Sequence, residues 1–221
     1  MAKKLVIVGT GLQAQVMHAY FKHGGEYETV AFSADRSYAK ATPSMLGLPV
    51  VDILEMPSRY PAGAHEAFVA IGFRDLNGIR ARFFGQVKDM GYQCASYVHQ
   101  SVVRWPETSY GENVFVFEDN TVQPYVSIGD DTVLWSGNHI GHHSKIGAHC
   151  FISSHVVISG NCSVGDYSFI GVNATVRDSV QIGARNIIGP CSLILRDTRD
   201  AQVFLPKGTE ARDLTSDRVK L

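Results

Sequence analysis

Between Val116 and Ile194 an aliphatic residue recurs at every sixth position without a slip in register: Val116, Val122, Ile128, Leu134, Ile140, Ile146, Ile152, Ile158, Val164, Ile170, Val176, Ile182, Ile188 and Ile194. The residue after it is Gly in seven of the fourteen cases (Gly129, Gly141, Gly147, Gly165, Gly171, Gly183 and Gly189). Two positions before it the side chain is mostly small or an amide, as in Asn138, Ser144, Cys150, Cys162, Ser168, Ala174 and Asn186. A step of six is neither the 3.6-residue period of a helix nor the plain alternation of an isolated strand. It is the hexapeptide signature of a parallel β-helix. Each hexapeptide supplies one short strand and one corner. The aliphatic residue points into the prism, Gly relieves the corner, and the small residue fills the narrow remaining space. Three hexapeptides close a triangular coil of 18 residues, so fourteen make a little under five coils.

Upstream the pattern is different. Lys4 to Val8 forms an apolar run of the buried parallel-strand kind, followed by Gly9-Thr10-Gly11 and by helical patterning from Leu12 to Phe21. A second strand, Thr29 to Phe32, leads to Asp35. Strand, glycine turn, helix, strand and acid make a βαβ unit of the dinucleotide-binding kind, with Ala14 at the third glycine position. Glycine there lets the backbone approach a phosphate at a helix N-terminus. A tight strand-to-helix turn with no ligand accounts for the same residues, and both explanations stay open at this point. Short strands follow at Leu48 to Val51 and Ala67 to Ile71, then an amphipathic helix through Leu76, Ile79, Phe83, Val87 and Met90, and a further strand at Cys94 to Val98. This alternation predicts a small α/β, Rossmann-like domain over residues 1–100. The all-β parallel β-helix then spans 101–198, and a polar tail covers 199–221.

Composition excludes several classes. The 221 residues carry a formal net charge of -1, which gives no general electrostatic reason to bind nucleic acid or an anionic membrane. No apolar run approaches the roughly 20 residues of a membrane span, and the N-terminal Leu5-Val6-Ile7-Val8 is too short for a secretory segment. The four cysteines are scattered, two of them at the small inward position of the repeat. They read as reduced core thiols of a cytoplasmic protein.

Candidate chemistry concentrates in five of the nine histidines: His139, His142, His143, His149 and His155. Simple exposure on the prism surface accounts for most of them. A zinc site needs imidazoles stacked near multiples of a coil, and this cluster spans too few residues for that within one chain, so no metal is expected. General base catalysis is the third possibility, because imidazole titrates near neutrality. One coil beyond His142 stands Gly160, which stacking places about 4.8 Å away. A glycine amide there suits an oxyanion donor.

The combination of Gly9-Thr10-Gly11, the amphipathic segment through Phe83 to Gly91, Tyr97-Val98-His99, and Asn138-His139-Ile140-Gly141-His142-His143 resembles the NeuD/PglD type of bacterial sugar acetyltransferases. The resemblance covers residues 3–195. It implies a nucleotide-sugar-binding domain of Rossmann type, a left-handed sense for the coil, a homotrimer, and acetyl-CoA held between neighbouring β-helices. By position it places the catalytic base on His142 and the glycine amide facing the thioester on Gly160. Many relatives keep an acidic residue directly after the base, where this chain has His143. A second family histidine is replaced by Phe151, which leaves His143 or His155 as substitutes. The family's C-terminal coenzyme segment has only a loose counterpart in Leu205-Pro206-Lys207-Gly208.

The resulting expectation is an acetyl-CoA-dependent N-acetyltransferase acting on the amino group of a nucleotide-linked amino sugar. Gly9, Gly11, Asp35 and Asn138 would bind that substrate. O-acetylation of a sugar hydroxyl, as in the sialic-acid branch, needs the same base and the same donor. A non-catalytic trimeric scaffold that only binds a nucleotide sugar is the alternative of another class.

Overall fold

The computed structural model describes residues 2–211. The first part is an α/β layer. Strand β1 (Lys3–Val8) leads into helix α1 (Leu12–Gly24), followed by β2 (Tyr27–Ala34), α2 (Arg36–Ala41), β3 (Ser44–Met45), β4 (Leu48–Asp52), α3 (Met56–Arg59), β5 (Glu66–Val69) and α4 (Gly78–Asp89). The sheet order is β3-β4-β2-β1-β5, parallel except where β3 turns back on β4. Because β2 and β5 flank β1 on opposite sides, the chain reverses direction beside β1, and the carboxyl ends of the strands there are where sheets of this kind place a ligand crevice. The expected strand at Cys94 to Val98 is divided. Cys94 bridges Ala67 at the edge of this sheet, whereas β6 (Tyr97–Val98) pairs with Phe115–Val116 in the second part.

That second part is a left-handed parallel β-helix of two-residue strands in three sheets. Strands at Tyr110, Ile128, Ile146, Val164 and Ile182 build the first face. The second runs through Val98, Val116, Leu134, Ile152, Ile170, Ile188 and Phe204, and the third through Val122, Ile140, Ile158, Val176 and Ile194. Partners are 18 residues apart, as in Ile128↔Ile146 and Ile140↔Ile158. All fourteen repeat aliphatics are at most 5% exposed and form one core. The tail contributes a last, shorter rung, since Phe204 pairs with Ile188 only sixteen residues before it. Residues 212–221 of the predicted tail lie outside the described residues.

Two features of the corner differ from expectation. The residue with positive φ comes three places after the aliphatic one and is usually Asn, Asp or His, types that tolerate this left-handed conformation. Glycine directly after the aliphatic residue has a different cause, close stacking of coils: a Cβ on Gly129 would stand 2.6 Å from the backbone nitrogen of Ala148. The small inward side chains also do more than fill space. Ser144 Oγ donates to Ser159 O at 3.1 Å and accepts from Cys162 N–H at 3.1 Å, satisfying backbone groups inside the prism.

The faces of the prism are not equivalent outside. Outward positions on the first face are Ser109, Ser127, Lys145, Ser163 and Gln181, while those on the second are Phe115, Val133, Phe151, Phe169 and Ile187. The second face therefore receives the α/β layer. Phe115, Phe117, Val133 and Phe151 share a core with Met17, Phe21 and Phe68. Each fully buried side chain of this size contributes about 1.5–3 kcal/mol. Polar contacts fix the docking. The buried Arg80 of α4 donates to Asp131 Oδ1 at 3.1 Å, to Asp131 O at 2.9 Å, to Cys150 O at 3.1 Å and to Asn77 Oδ1 at 3.1 Å.

Candidate active site

His142 follows the inward Ile140 by two residues, on the edge between the third face and the first. This edge lies opposite the face that carries the α/β layer. Neighbouring coils hold its backbone from both sides: His142 N–H donates to Gln123 Oε1 at 2.8 Å, and Asn161 N–H donates to His142 O at 2.7 Å. The imidazole is exposed and lies against Gly160. A Cβ added to Gly160 would stand 2.7 Å from both Cε1 and Nε2 of that ring, so any larger residue would displace it.

The amide of Gly160 belongs to a residue that is buried, unlike the partly or fully exposed Ser136, Ser154 and Asp166 at the same place in the repeat. At corners one coil apart, the N–H of Glu112 donates to Asp130 Oδ1 at 2.8 Å and that of Ala148 to Asp166 Oδ1 at 2.9 Å. In the same relation to Gly160 stands Asp178, whose Oδ2 instead accepts from Ser179 Oγ at 2.8 Å. The buried Gly160 N–H has no acceptor among the described residues. An open, buried donor beside an exposed imidazole can stabilise a developing oxyanion while the imidazole takes a proton.

The histidines that are dense in sequence separate in space. His143, His149 and His155 follow their inward isoleucines by three residues, with φ of 59°, 58° and 57°, and a step of six carries each to a different edge. His143 stays with His142, their Nδ1 atoms 3.2 Å apart. His149 turns to the α/β layer and binds Asp131 Oδ2 at 2.8 Å. His155 sits against Gly137 on the remaining edge and is not brought to His142. Among the described residues no three His, Cys, Asp or Glu side chains converge as metal ligands. Asn138, expected at the substrate, is inside the prism at 1% exposure, where its Oδ1 accepts from Val156 N–H at 2.8 Å and its amide donates to Trp135 O. Sequence reasoning missed Gln123, Tyr125 and Asp178. Counting one coil back from His143 gives Tyr125, whose ring stacks on it at 4.7 Å, and one coil on from Gly160 gives Asp178.

At the crevice, Gly9 has φ +130° and a Cβ there would meet Ala70 O at 2.8 Å, so the chain itself requires glycine. Gly11 caps α1 and faces open space, with nothing within 4 Å of an added Cβ. Packing therefore explains Gly9 but not Gly11, whereas a phosphate approaching the free amides of α1 would explain both. Asp35 lies at the end of β2, 3.8 Å from the guanidinium of Arg82. Opposite, the loop after β5 holds Asp75, Leu76 and Asn77 at positive φ, and its Phe73 rests on Phe151 and Phe169 at 5.0 and 4.9 Å.

Residues 125–160 and 161–196 match the family model described as bacterial transferase hexapeptide (six repeats). No curated protein sequence matches the chain. Among solved structures, a histidine-to-asparagine variant of perosamine N-acetyltransferase from Caulobacter crescentus, in complex with CoA and GDP-perosamine, is 30% identical with a TM-score of 0.80. That match covers 90% of this chain and 92% of the other. The acetyltransferase domain of PglB from Neisseria gonorrhoeae, in complex with acetyl coenzyme A, is 23% identical over 92% of this chain and 96% of its own, with a TM-score of 0.82. WeeI from Acinetobacter baumannii is 18% identical over 92% and 96%, with a TM-score of 0.77. The last two are similar in fold. No helix among the described residues is long and apolar enough to cross a membrane.

Proposed function

This chain belongs to the NeuD/PglD-type sugar acetyltransferases built on a hexapeptide β-helix, and from that membership we propose that it N-acetylates the amino group of a nucleotide-linked amino sugar. It is an acyltransferase, with acetyl-CoA as the donor. The observation that carries the reading is the buried Gly160 N–H, without an acceptor among the described residues, beside the His142 imidazole. The acceptor amine attacks the thioester carbonyl, His142 Nε2 takes the amine proton, and the Gly160 amide holds the oxyanion. Collapse of that intermediate expels the coenzyme thiolate, which takes the proton back from His142. No covalent enzyme intermediate is required.

Gly9, Gly11 and Asp35 are proposed to hold the nucleotide diphosphate at the crevice, and GDP-perosamine in the Caulobacter relative supports that class of acceptor. Within one chain, however, the crevice side of the prism and the His142 edge face different ways. A homotrimer, in which one subunit's His142 edge meets its neighbour, supplies the missing wall, and acetyl-CoA would lie in that seam. The assay is acetyl transfer from acetyl-CoA to a panel of UDP-, GDP- and dTDP-linked amino sugars and their hydroxyl analogues, read by thiol release. The expected result is turnover with an amino sugar and none with its hydroxyl analogue. Turnover confined to hydroxyl acceptors would move the protein to the O-acetylating branch. No thiol release with any acceptor would favour a binding scaffold.

A further inference from the structure

An imidazole can accept a proton at Nε2 only while its own proton sits on Nδ1. In His142 that Nδ1 lies 3.2 Å from Nδ1 of His143, the rings edge to face at 84° with centroids 5.3 Å apart. Two ring nitrogens at this distance share one proton, one donating and the other accepting. His143 is held in place for this role. Its backbone sits at φ 59°, its N–H donates to Pro124 O at 3.1 Å, and its ring lies on Tyr125 at a centroid distance of 4.7 Å. Among the described residues His149 alone of the histidines has a carboxylate within ion-pair distance, so neither ring of the pair is supported by one.

We propose that His143 is the positioning residue for the base: its Nδ1 lone pair accepts the Nδ1 proton of His142 and leaves the Nε2 lone pair of His142 facing Gly160. The inference rests on the acetyl-transfer reading above. His143 carries its own proton on Nε2. As the nitrogen–carbon bond forms, the carbonyl π pair moves to oxygen and the amine proton moves to His142 Nε2. The imidazolium so formed keeps donating its Nδ1–H to the neutral His143. As the carbon–sulfur bond breaks, the carbonyl reforms and the Nε2 proton passes to the thiolate. His143 ends the cycle as it began.

The arrangement fixes a pH response. A protonated His143 has hydrogen on both nitrogens, so its Nδ1–H must donate to His142. The single proton of His142 then sits on Nε2, and the base is off. One proton on either ring therefore stops the reaction. The groups facing the pair are the Tyr125 phenol on the preceding coil, the Gln123 amide at the His142 backbone, Asn161 on the next coil and, beyond Gly160, the Asp178 carboxylate. A carboxylate in place of His143 would instead favour the imidazolium of His142 and keep it protonated to higher pH.

The test is the pH profile of kcat and kcat/KM for His143→Asn, His143→Asp and His143→Gly in the full chain, beside His142→Ala. Asn, Asp and Gly all accommodate the left-handed backbone at this corner, so the fold is kept. Asn, an acceptor without charge, should keep kcat within about threefold of the parent near pH 8, and Asp should move the acid limb up by about one pH unit. Gly should lower kcat about tenfold or more with KM unchanged for both substrates. Parental kcat and an unshifted profile in all three variants would overturn the assignment, as would equal loss in all three. Parental turnover in His142→Ala would overturn the base itself, a result that the His143 variants cannot produce.

Discussion

Two edges of one prism carry a histidine in the same backbone position and surround it differently. His143 and His149 each follow an inward isoleucine by three residues, with φ of 59° and 58°, and each stacks on a tyrosine of an adjacent coil, at 4.7 and 4.6 Å. Beneath His149 stands Asp131, which also binds the buried Arg80, and α4 closes that edge. Beside His142 and His143 the next coil supplies Gly160, and among the described residues its N–H has no acceptor and no helix covers it. The two hexapeptides are nearly alike. What differs is the residue 18 places away. A repeat gives every corner the same backbone shape, and the stacked neighbours decide what each corner's side chains meet.

Asp131→Ala breaks the closed edge most severely, because it strands a fully buried guanidinium. It should cost about 3–5 kcal/mol in denaturant unfolding. On the open edge, His143→Gly should stay within about 0.5 kcal/mol of the parent in the same measurement, since that ring is exposed and Gly suits the backbone. Equal losses would erase the distinction between the edges.

A pair of glycines sharpens it next. The nearest atoms to a methyl on Gly160 would be side-chain atoms, the His142 ring at 2.7 Å and the Asp178 carboxylate at 3.1 Å. Gly160→Ala should therefore lower kcat about 100-fold through displacement of the ring, with little loss of stability. A methyl on Gly129 would meet backbone, 2.6 Å from Ala148 N and 2.7 Å from Gly147 C. Gly129→Ala should cost about 1–3 kcal/mol of stability and leave turnover per folded molecule unchanged.

The smallest effect is alkaline. Burial pushes the Cys150 thiol up to about 12 from an ordinary value of 9.0. A folded-state value above the unfolded one contributes stability that is complete below about pH 9 and lost as pH rises towards about 12. Cys150→Ala should flatten that part of the stability profile. A thiol reagent should label the exposed Cys191 at once, and Cys94, Cys150 and Cys162 only on unfolding.

The interior of the prism was legible in the sequence because every inward position obeys one period, and the fourteen repeat aliphatics from Val116 to Ile194 are all buried as that period requires. The outside was less so, because its pattern repeats at 18 residues and not at six. Phe115, Val133, Phe151, Phe169 and Ile187 recur at that step and mark the docking face, just as Tyr125 and Asp178 mark the site. His142, His143, His149 and His155 are close in sequence but not in space, because a step of six turns the chain by a third of a circuit. Gly160 beside His142 was legible, since both positions follow from the coil length alone. The open amide was not, because whether Asp178 caps it depends on a side-chain choice between Gly160 and Ser179. Asn138 was misplaced because an inward amide that bonds backbone looks, in sequence, the same as one that binds substrate.

The most direct measurement sets the two edges against each other in acetyl transfer from acetyl-CoA to an accepted nucleotide-linked amino sugar. His142→Ala should lose about 10²–10⁴-fold in kcat while staying folded, and His149→Ala should keep the parental kcat per folded molecule. Parental turnover in His142→Ala, or a collapse of turnover in folded His149→Ala, would contradict the assignment of the open edge as the catalytic one.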